Sequence, residues 1–373
     1  MNQLNCLPQN SVIWGHEALL SASDALSAHG FYRPMTFTVE PLQKLNQTHL
    51  KPSIKHGAGC FIDLPPHVPD TSVREGLRAC MIGKADSIVA LGGGSVLDAA
   101  KAVSYLHHKE TGRYLPIAAF PTTLSGSEFS HYFGITETDG RQKLKRSYAA
   151  RETVPKVVFI DPILVLDTPR ALLLSSAIKG VDHTVEGMRQ VGKDHPHAVM
   201  AASGVDRFFR ILDRWPKEID TAQAVSEGLV SMDDLLQLQL GAWQCYFFPA
   251  SVIYGLSHRI GHILGGTFGL PHSMTSCITL APVIRACSTT YGDKLDIFSR
   301  GRGGALAAGR QLADRIASTV AALGLPNRVS AFKLDKAHLG RVAELLRSNY
   351  AGEVGDLGDD ANAKLDELLE SLW

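Results

Sequence analysis

No uninterrupted apolar stretch of this chain approaches the ~20 residues needed to cross a bilayer, so no membrane span is expected. Neither sign of charge is in excess. Lys plus Arg and Asp plus Glu both stand at 37 in 373 residues, so no bulk field gathers nucleic acid or anionic lipid. Cysteine is sparse and scattered (Cys6, Cys60, Cys80, Cys245, Cys277, Cys287). Without a C-x-x-C pair, a zinc ribbon or redox couple is not expected, and free thiols in a reducing cytoplasm fit. Met1-Asn2-Gln3-Leu4-Asn5-Cys6 lacks the charged and apolar regions of a secretory signal, which again points to the cytoplasm. Internal repeats and low-complexity segments are absent too.

What is present is an ordinary globular composition, 45% hydrophobic and 20% charged, in a chain long enough for two domains. The most informative segment is Ser87-Ile88-Val89-Ala90-Leu91, then Gly92-Gly93-Gly94-Ser95, then Val96 to Val103. It reads as a buried strand, a tight turn and a helix. The first N–H groups of a helix have no intrahelical acceptor and carry the positive end of its dipole, and glycines let a phosphate approach them. The spacing departs from G-x-G-x-x-G, so phosphate binding and a merely tight strand–helix turn both stay open on the residues alone.

Further strands are expected at Ser11–Trp14, Met35–Val39, Leu115–Phe120 and Val157–Ile160, with helices at Ala18–Ala28 and Ser72–Ile82 and an exposed hairpin over Thr136–Arg151. After Asp161-Pro162 the alternation gives way to helical spacing: Ala171–Gln190, Ala198–Arg214, Ala222–Gly241, Ser251–Leu264, Ala305–Leu323 and Lys336–Asn349. The expected organisation is an α/β dinucleotide-binding domain with a parallel sheet over residues 1–165, then an all-α domain over 166–373. A cleft between them is the default ligand site.

Histidines concentrate in the helical half. His258 and His262 are four apart and share a helix face, and His272 follows the Gly265-Gly266 break, from which it can fold back. Lys179 and His183 are also four apart. Imidazoles so placed bind Zn²⁺ or Fe²⁺, or move protons near neutral pH. With 15 histidines in the chain, chance pairs at this spacing also arise.

Taken together and in order, several segments resemble the iron-containing alcohol dehydrogenase superfamily, with its dehydroquinate synthase-like fold, and most of all its maleylacetate reductase branch. They are Gly92 to Lys101, Phe120-Pro121-Thr122-Thr123-Leu124-Ser125-Gly126-Ser127-Glu128-Phe129, Pro155 to Pro162, and His258 to Leu280. Likeness runs from about Gly15 to about Pro282 and fades in the C-terminal helices.

The resemblance implies an NAD(P)H-dependent reductase acting on a small carboxylated keto or enoyl acid, in aromatic-compound degradation and as a homodimer. It implies that Gly92, Gly93, Gly94 and Ser95 hold the cofactor pyrophosphate, with Asp98 on the following helix and Thr122, Thr123 and Ser127 on a second cofactor loop. Glu40, after the second strand, is read either as a solvated side chain or as one that accepts from the adenosine ribose and repels a 2′-phosphate. The second reading favours NAD(H) over NADP(H). In metal-dependent members an Asp and three His bind the ion. His183, His258 and His272 match the histidines, and His262 matches a further one associated with proton transfer.

The Asp position, four residues before His183, is Lys179 here. A protonated amine neither ligates nor tolerates a dication; maleylacetate reductases also resemble the family without its full carboxylate ligand set, and the resemblance implies catalysis without metal. Asp182, one residue from His183, is expected to face elsewhere, since neighbours on a helix point about 100° apart. Lys179 is expected either to polarise a carbonyl or pair with a substrate carboxylate, or to be a surface lysine on a shifted helix; Arg259 either clamps a carboxylate or points to solvent. Arg141, Lys143, Lys145 and Arg146 of the hairpin are only weakly placed near substrate. Two alternatives stand: a metal-dependent alcohol dehydrogenase, or a non-redox member (a lyase or nucleotide-binding protein) in which Lys179 replaces the metal.

Overall fold

Strands β1 (Ser11–Trp14), β2 (Pro34–Phe37), β3 (Gly59–Phe61), β4 (Ser87–Gly92), β5 (Ile117–Pro121) and β8 (Val157–Ile160) pair into one sheet, with order β1-β8-β5-β4-β2-β3 and every pairing parallel. This is a computed structural model, and it describes residues 6–139, 142–247, 254–298 and 305–373. Strands buried on both faces read as continuous apolar runs. Accordingly, every residue of β4, β5 and β8 is buried, and the rings of Phe120 and Phe159 stack at 4.5 Å between neighbouring strands.

The longer helices of the first half are α1 (Ala22–Ala28), α2 (Asp70–Gly83) and α3 (Gly94–Thr111). The second half carries α4 (Arg170–Gly187), α5 (Pro196–Leu212), α6 (Met232–Tyr246), α7 (Leu256–Phe268), α8 (His272–Ala286), α9 (Ala305–Ala322), α10 (His338–Asn349) and α11 (Ala361–Ser371). The α/β plus all-α architecture expected from the sequence is the one observed. The chain divides into two compact units, Met1–Thr168 with Ser231–Gln239, and Pro169–Val230 with Leu240–Trp373.

Several elements differ from expectation for identifiable reasons. β3 is a three-residue edge strand, too short to show alternation. The helix expected over Ala222–Gly241 is two helices, Thr221–Ser226 and α6, because Gly228 turns the chain at φ +70°. The expected break at Gly265-Gly266 is displaced: α7 runs on to Phe268 and stops at Gly269, which takes φ +76° as its left-handed cap. α8 contains Pro282, which breaks a helical reading of the sequence. The start of the helix expected at Ser251 falls at residues 251–253, outside the described residues. The expected hairpin forms from β6 (Tyr132–Asp139) and β7 (Gln142–Ala149). Arg141 and the side chains of Lys143 and Lys145 lie outside the described residues, and Arg146 pairs with Glu137 at 2.9 Å.

Candidate active site

In the first unit, β4 ends at Gly92 and α3 begins at Gly94, with Gly93 as its cap residue. The turn is packed so closely that side chains do not fit. A Cβ at Gly92 would lie 2.5 Å from Val96 Cγ2, and one at Gly93 would lie 2.9 Å from Thr123 Cγ2. Thr122 is tied back to this turn by its N–H to the Gly92 carbonyl (3.1 Å), and its own carbonyl accepts from Thr168 Oγ1 (2.6 Å). Beside the turn, Thr123 Oγ1 and Ser125 Oγ are buried without a hydrogen-bond partner among the described residues. A buried hydroxyl without a partner costs free energy. Two of them at a helix N-terminus, next to glycines a Cβ would fill, fit the phosphates of a dinucleotide. Ser125 stands in the quoted motif but was not singled out from sequence; only its burial and lack of partner mark it.

Asp98 and Ser127 are engaged with each other. Ser127 Oγ donates to Asp98 Oδ1 (2.7 Å), and the Gly134 N–H donates to Asp98 Oδ2 (3.1 Å). The wholly buried Lys101 ammonium donates to Ser127 O, Ser127 Oγ and Tyr132 O at 2.6–2.9 Å. Burial pulls Lys101 down to about 8 against the opposing pull of Asp98 and Glu128. Burial likewise pushes Glu128 up to about 7, against its own backbone N–H and Lys101. These contacts brace the second loop on α3. Glu40 is exposed at the carboxyl end of β2, where it accepts from Gln43 Nε2 (3.3 Å).

In the second unit, α4, α7 and α8 bring all four singled-out histidines together. His183 and His258 approach with Nε2 atoms 2.9 Å apart. The His258 ring lies 5.9 Å from His262 and 6.4 Å from His272, and His262 lies 5.3 Å from His272. The Gly269 cap reverses the chain so that His272 opens α8 beside the histidine face of α7. Close packing of these two helices needs Gly261, where a Cβ would meet Thr275 Oγ1 at 2.7 Å. Tyr254 stacks on His258 (4.9 Å) and meets His262 edge-on (5.2 Å), and Tyr246 lies 4.7 Å from His183. Neither tyrosine was marked by the sequence reading. His258 is buried, whereas His183, His262 and His272 are half-buried.

Two carboxylates back His258. Glu186 Oε2 lies 2.9 Å from its Nδ1, and Asp182 Oδ2 lies 3.3 Å from the same atom. The Asp182 position corrects the expectation that it faces elsewhere. Helical neighbours do diverge, but the partner of Asp182 is His258 of α7, not His183. Burial works to raise the Asp182 carboxyl, yet His258, Lys179 and a Ser276 hydroxyl donating to it hold it below the usual range. Burial pushes Glu186 up, with the Asp182 charge adding to it and His258 and the Gly255 N–H opposing. Glu186 was missed from sequence. The signal available was its spacing: Lys179, Asp182, His183 and Glu186 recur at three- and four-residue steps along one face of α4.

Lys179 is buried, with Nζ 3.9 Å from Asp182 Oδ2. Arg259 donates from Nε to Glu353 Oε1 (2.7 Å), and its guanidinium lies over the rings of Tyr254 (5.2 Å) and Tyr350 (4.5 Å). Asp182, Glu186 and His258 offer ligand atoms within 4.8 Å of one another, a group that could hold a metal ion. Against such a group stand the buried Lys179 ammonium on α4 and the engagement of the carboxylates, Glu186 by backbone N–H groups and His258 Nδ1, and Asp182 by His258 Nδ1 and Ser276.

The iron-containing alcohol dehydrogenase family model matches residues 8–162. The maleylacetate reductase of Pseudomonas aeruginosa is 29% identical over 280 residues, covering 75% of this chain and 74% of the relative. Among solved structures, the maleylacetate reductase of Rhizobium sp. strain MTP-10005 superposes with a TM-score of 0.77 at 22% identity over 98% of this chain and 96% of its own. The sulfoacetaldehyde reductase of Bifidobacterium kashiwanohense, solved in complex with NAD⁺, superposes with a TM-score of 0.82 at 19% identity over 100% and 99%. With its parallel sheet, glycine turn and histidine-bearing helices, the chain is an oxidoreductase, similar over residues 8–162 to the iron-containing alcohol dehydrogenase family and over three quarters of its length to maleylacetate reductases.

Proposed function

We propose that the protein is an NAD(P)H-dependent reductase of the maleylacetate reductase type, acting on a small carboxylated keto or enoyl acid without a metal ion. The observation that carries this reading is the composition of the helical-unit site: four imidazoles converge, and a buried ammonium stands in the helix position that would complete a metal site. A bound dihydronicotinamide supplies hydride to the activated carbonyl or conjugated double bond. Gly92 to Ser95, with Thr122, Thr123 and Ser125, hold the pyrophosphate through backbone N–H groups and hydroxyls, while Asp98 and Ser127 keep the second loop in place. His262 or His258 supplies the proton that completes the reduction, directly or through water, with His183 and His272 in the same cluster. Lys179 contributes fixed positive charge to the developing enolate or alkoxide through the Asp182–His258 side of the cluster. Arg259 is the candidate for the substrate carboxylate, in exchange for Glu353. The working assembly in this reading is a cytoplasmic homodimer.

The test is NADH oxidation with maleylacetate and related keto and enoyl acids, run alongside elemental analysis. Turnover by metal-free enzyme that survives a chelator is expected. Absence of turnover with every acid, or stoichiometric Fe or Zn whose removal abolishes activity, would overturn the reading.

A further inference from the structure

We propose that Glu186 is a positioning residue that keeps a hydrogen on His258 Nδ1, so that whenever the His258 ring is neutral it is the Nδ1–H tautomer and His183 owns the hydrogen shared by the two imidazoles. The role deepens the reading of this cluster as the proton-handling site and rests on it only for its effect on turnover.

Glu186 is wholly buried, and four donors converge on its carboxylate. They are the N–H groups of Gly255 (2.8 Å), Ser257 (2.7 Å) and His258 (3.3 and 3.4 Å), and His258 Nδ1 (2.9 Å). Three of these are backbone amides opening α7, which have hydrogens and no acceptor of their own in the helix. Their demand keeps both oxygens accepting, so Nδ1 must bring a hydrogen. Asp182, the second group against Nδ1, also only accepts while ionised, and its Oδ2 already takes the Ser276 hydroxyl.

A neutral imidazole has one hydrogen. With it on Nδ1, the His258 Nε2 presents a lone pair, and the 2.9 Å contact to His183 Nε2 closes only if His183 donates. Gly255 completes the device: a Cβ there would lie 2.7 Å from Glu186 Oε1, so the glycine leaves room for the carboxylate on the helix end. The same carboxylate thus sets both the start of α7 and the ring orientation and tautomer of His258.

The experiment is ¹⁵N NMR of histidine-labelled full-length protein, with the His258 signals assigned from His258→Gln. Wild type is expected to show His258 protonated at Nδ1 and unprotonated at Nε2. In Glu186→Gln the lone amide oxygen satisfies the helix amides and turns NH₂ to the ring, so His258 is expected to move toward the Nε2–H form. NADH turnover is then expected to fall about 10–100-fold in kcat, with KM moving far less. Glu186→Asp, which keeps an acceptor, is expected to recover part of both. A merely structural glutamate would lower the melting temperature and leave the tautomer alone. The proposal is overturned by wild-type His258 carrying its hydrogen on Nε2, or by a folded Glu186→Gln that retains the Nδ1–H form and wild-type kcat. Should that variant fail to fold, the wild-type spectrum decides alone. An Nδ1–H His258 in an enzyme that reduces none of the acids would remove the substrate reading and leave the tautomer assignment standing.

Discussion

At the scale of single residues, the helical unit depends on charged and titratable groups in places where they are expensive. Lys179 is tolerated because Asp182 is held anionic beside it. Replacing it tests the metal question directly. Lys179→Asp places a third buried carboxylate near Asp182 and Glu186 and removes their cation. Without metal the variant is expected to lose about 3 kcal/mol, the scale of breaking a buried pair. A divalent ion should restore this, because the carboxylate missing from the donor set is now present. Melting curves with and without Zn²⁺ or Fe²⁺ check it: the ion should raise the melting temperature of the variant and leave wild type unmoved. An equal rise in both would show that wild type already binds the ion. His197 gives a second prediction. Burial pulls its imidazole down to about 4, with His195 adding to the shift and a hydrogen bond to the Thr184 backbone opposing it. The unfolded chain binds the proton below its ordinary value near 6.5 and the folded chain does not until about 4. Stability is therefore complete above pH 6.5 and declines as pH falls toward 4, by about 3 kcal/mol from this group. His197→Leu should flatten that part of the stability curve in urea titrations at pH 7 and 5. An unchanged slope would mean that another group carries it.

Elements show where the sequence was readable and where it was not. β4, the glycine turn and α3 follow one another in the chain, so the strand–turn–helix proposed as the cofactor cradle was legible from a single stretch of residues. Its hydroxyl wall was legible as a motif, but only the fold shows that Thr123 and Ser125 hold hydroxyls in reserve while Ser127 is spent on Asp98 and Lys101. The histidine site joins residues 72 to 75 positions apart. Spacing revealed the shared face of α7 but not what backs it, and Asp182 was misjudged because its partner lies on another helix. α8 hid behind Pro282, and the true end of α7 behind a glycine pair that the helix simply runs through. The cradle yields its own prediction. In Gly93→Ala the new Cβ meets Thr123 Cγ2 at 2.9 Å, and the backbone at φ −82° accepts alanine. Overpacking should cost about 1–3 kcal/mol at most, while cofactor affinity, measured by NADH fluorescence, should fall about tenfold or more, given that a misplaced binding group is felt steeply. Adding Thr123→Ser removes the clashing methyl, so the double variant should bind better than Gly93→Ala alone. No recovery would put the cause elsewhere.

For the molecule as a whole, cofactor choice is a matter of linkage between one exposed side chain and global stability. A ligand that binds only the folded chain stabilises it by about 2.7 kcal/mol at a hundredfold excess over its Kd, so the thermal shifts produced by NADH and NADPH rank their affinities without any substrate. Glu40 stands at the carboxyl end of β2, next in the sheet to the strand that delivers the glycine turn. An ionised carboxylate there accepts from a ribose 2′-hydroxyl and repels a 2′-phosphate. Its exposure keeps the repulsion modest, since charges facing water are screened. The larger shift is therefore expected with NADH, and Glu40→Ser should narrow the gap chiefly by improving NADPH. Raising the salt should narrow it further in wild type and hardly at all in the variant, because only wild type carries the charge being screened. Equal shifts from the two cofactors in wild type, or a gap that Glu40→Ser leaves untouched at low salt, would remove Glu40 from the ribose site and return it to the solvent-facing contact it makes with Gln43.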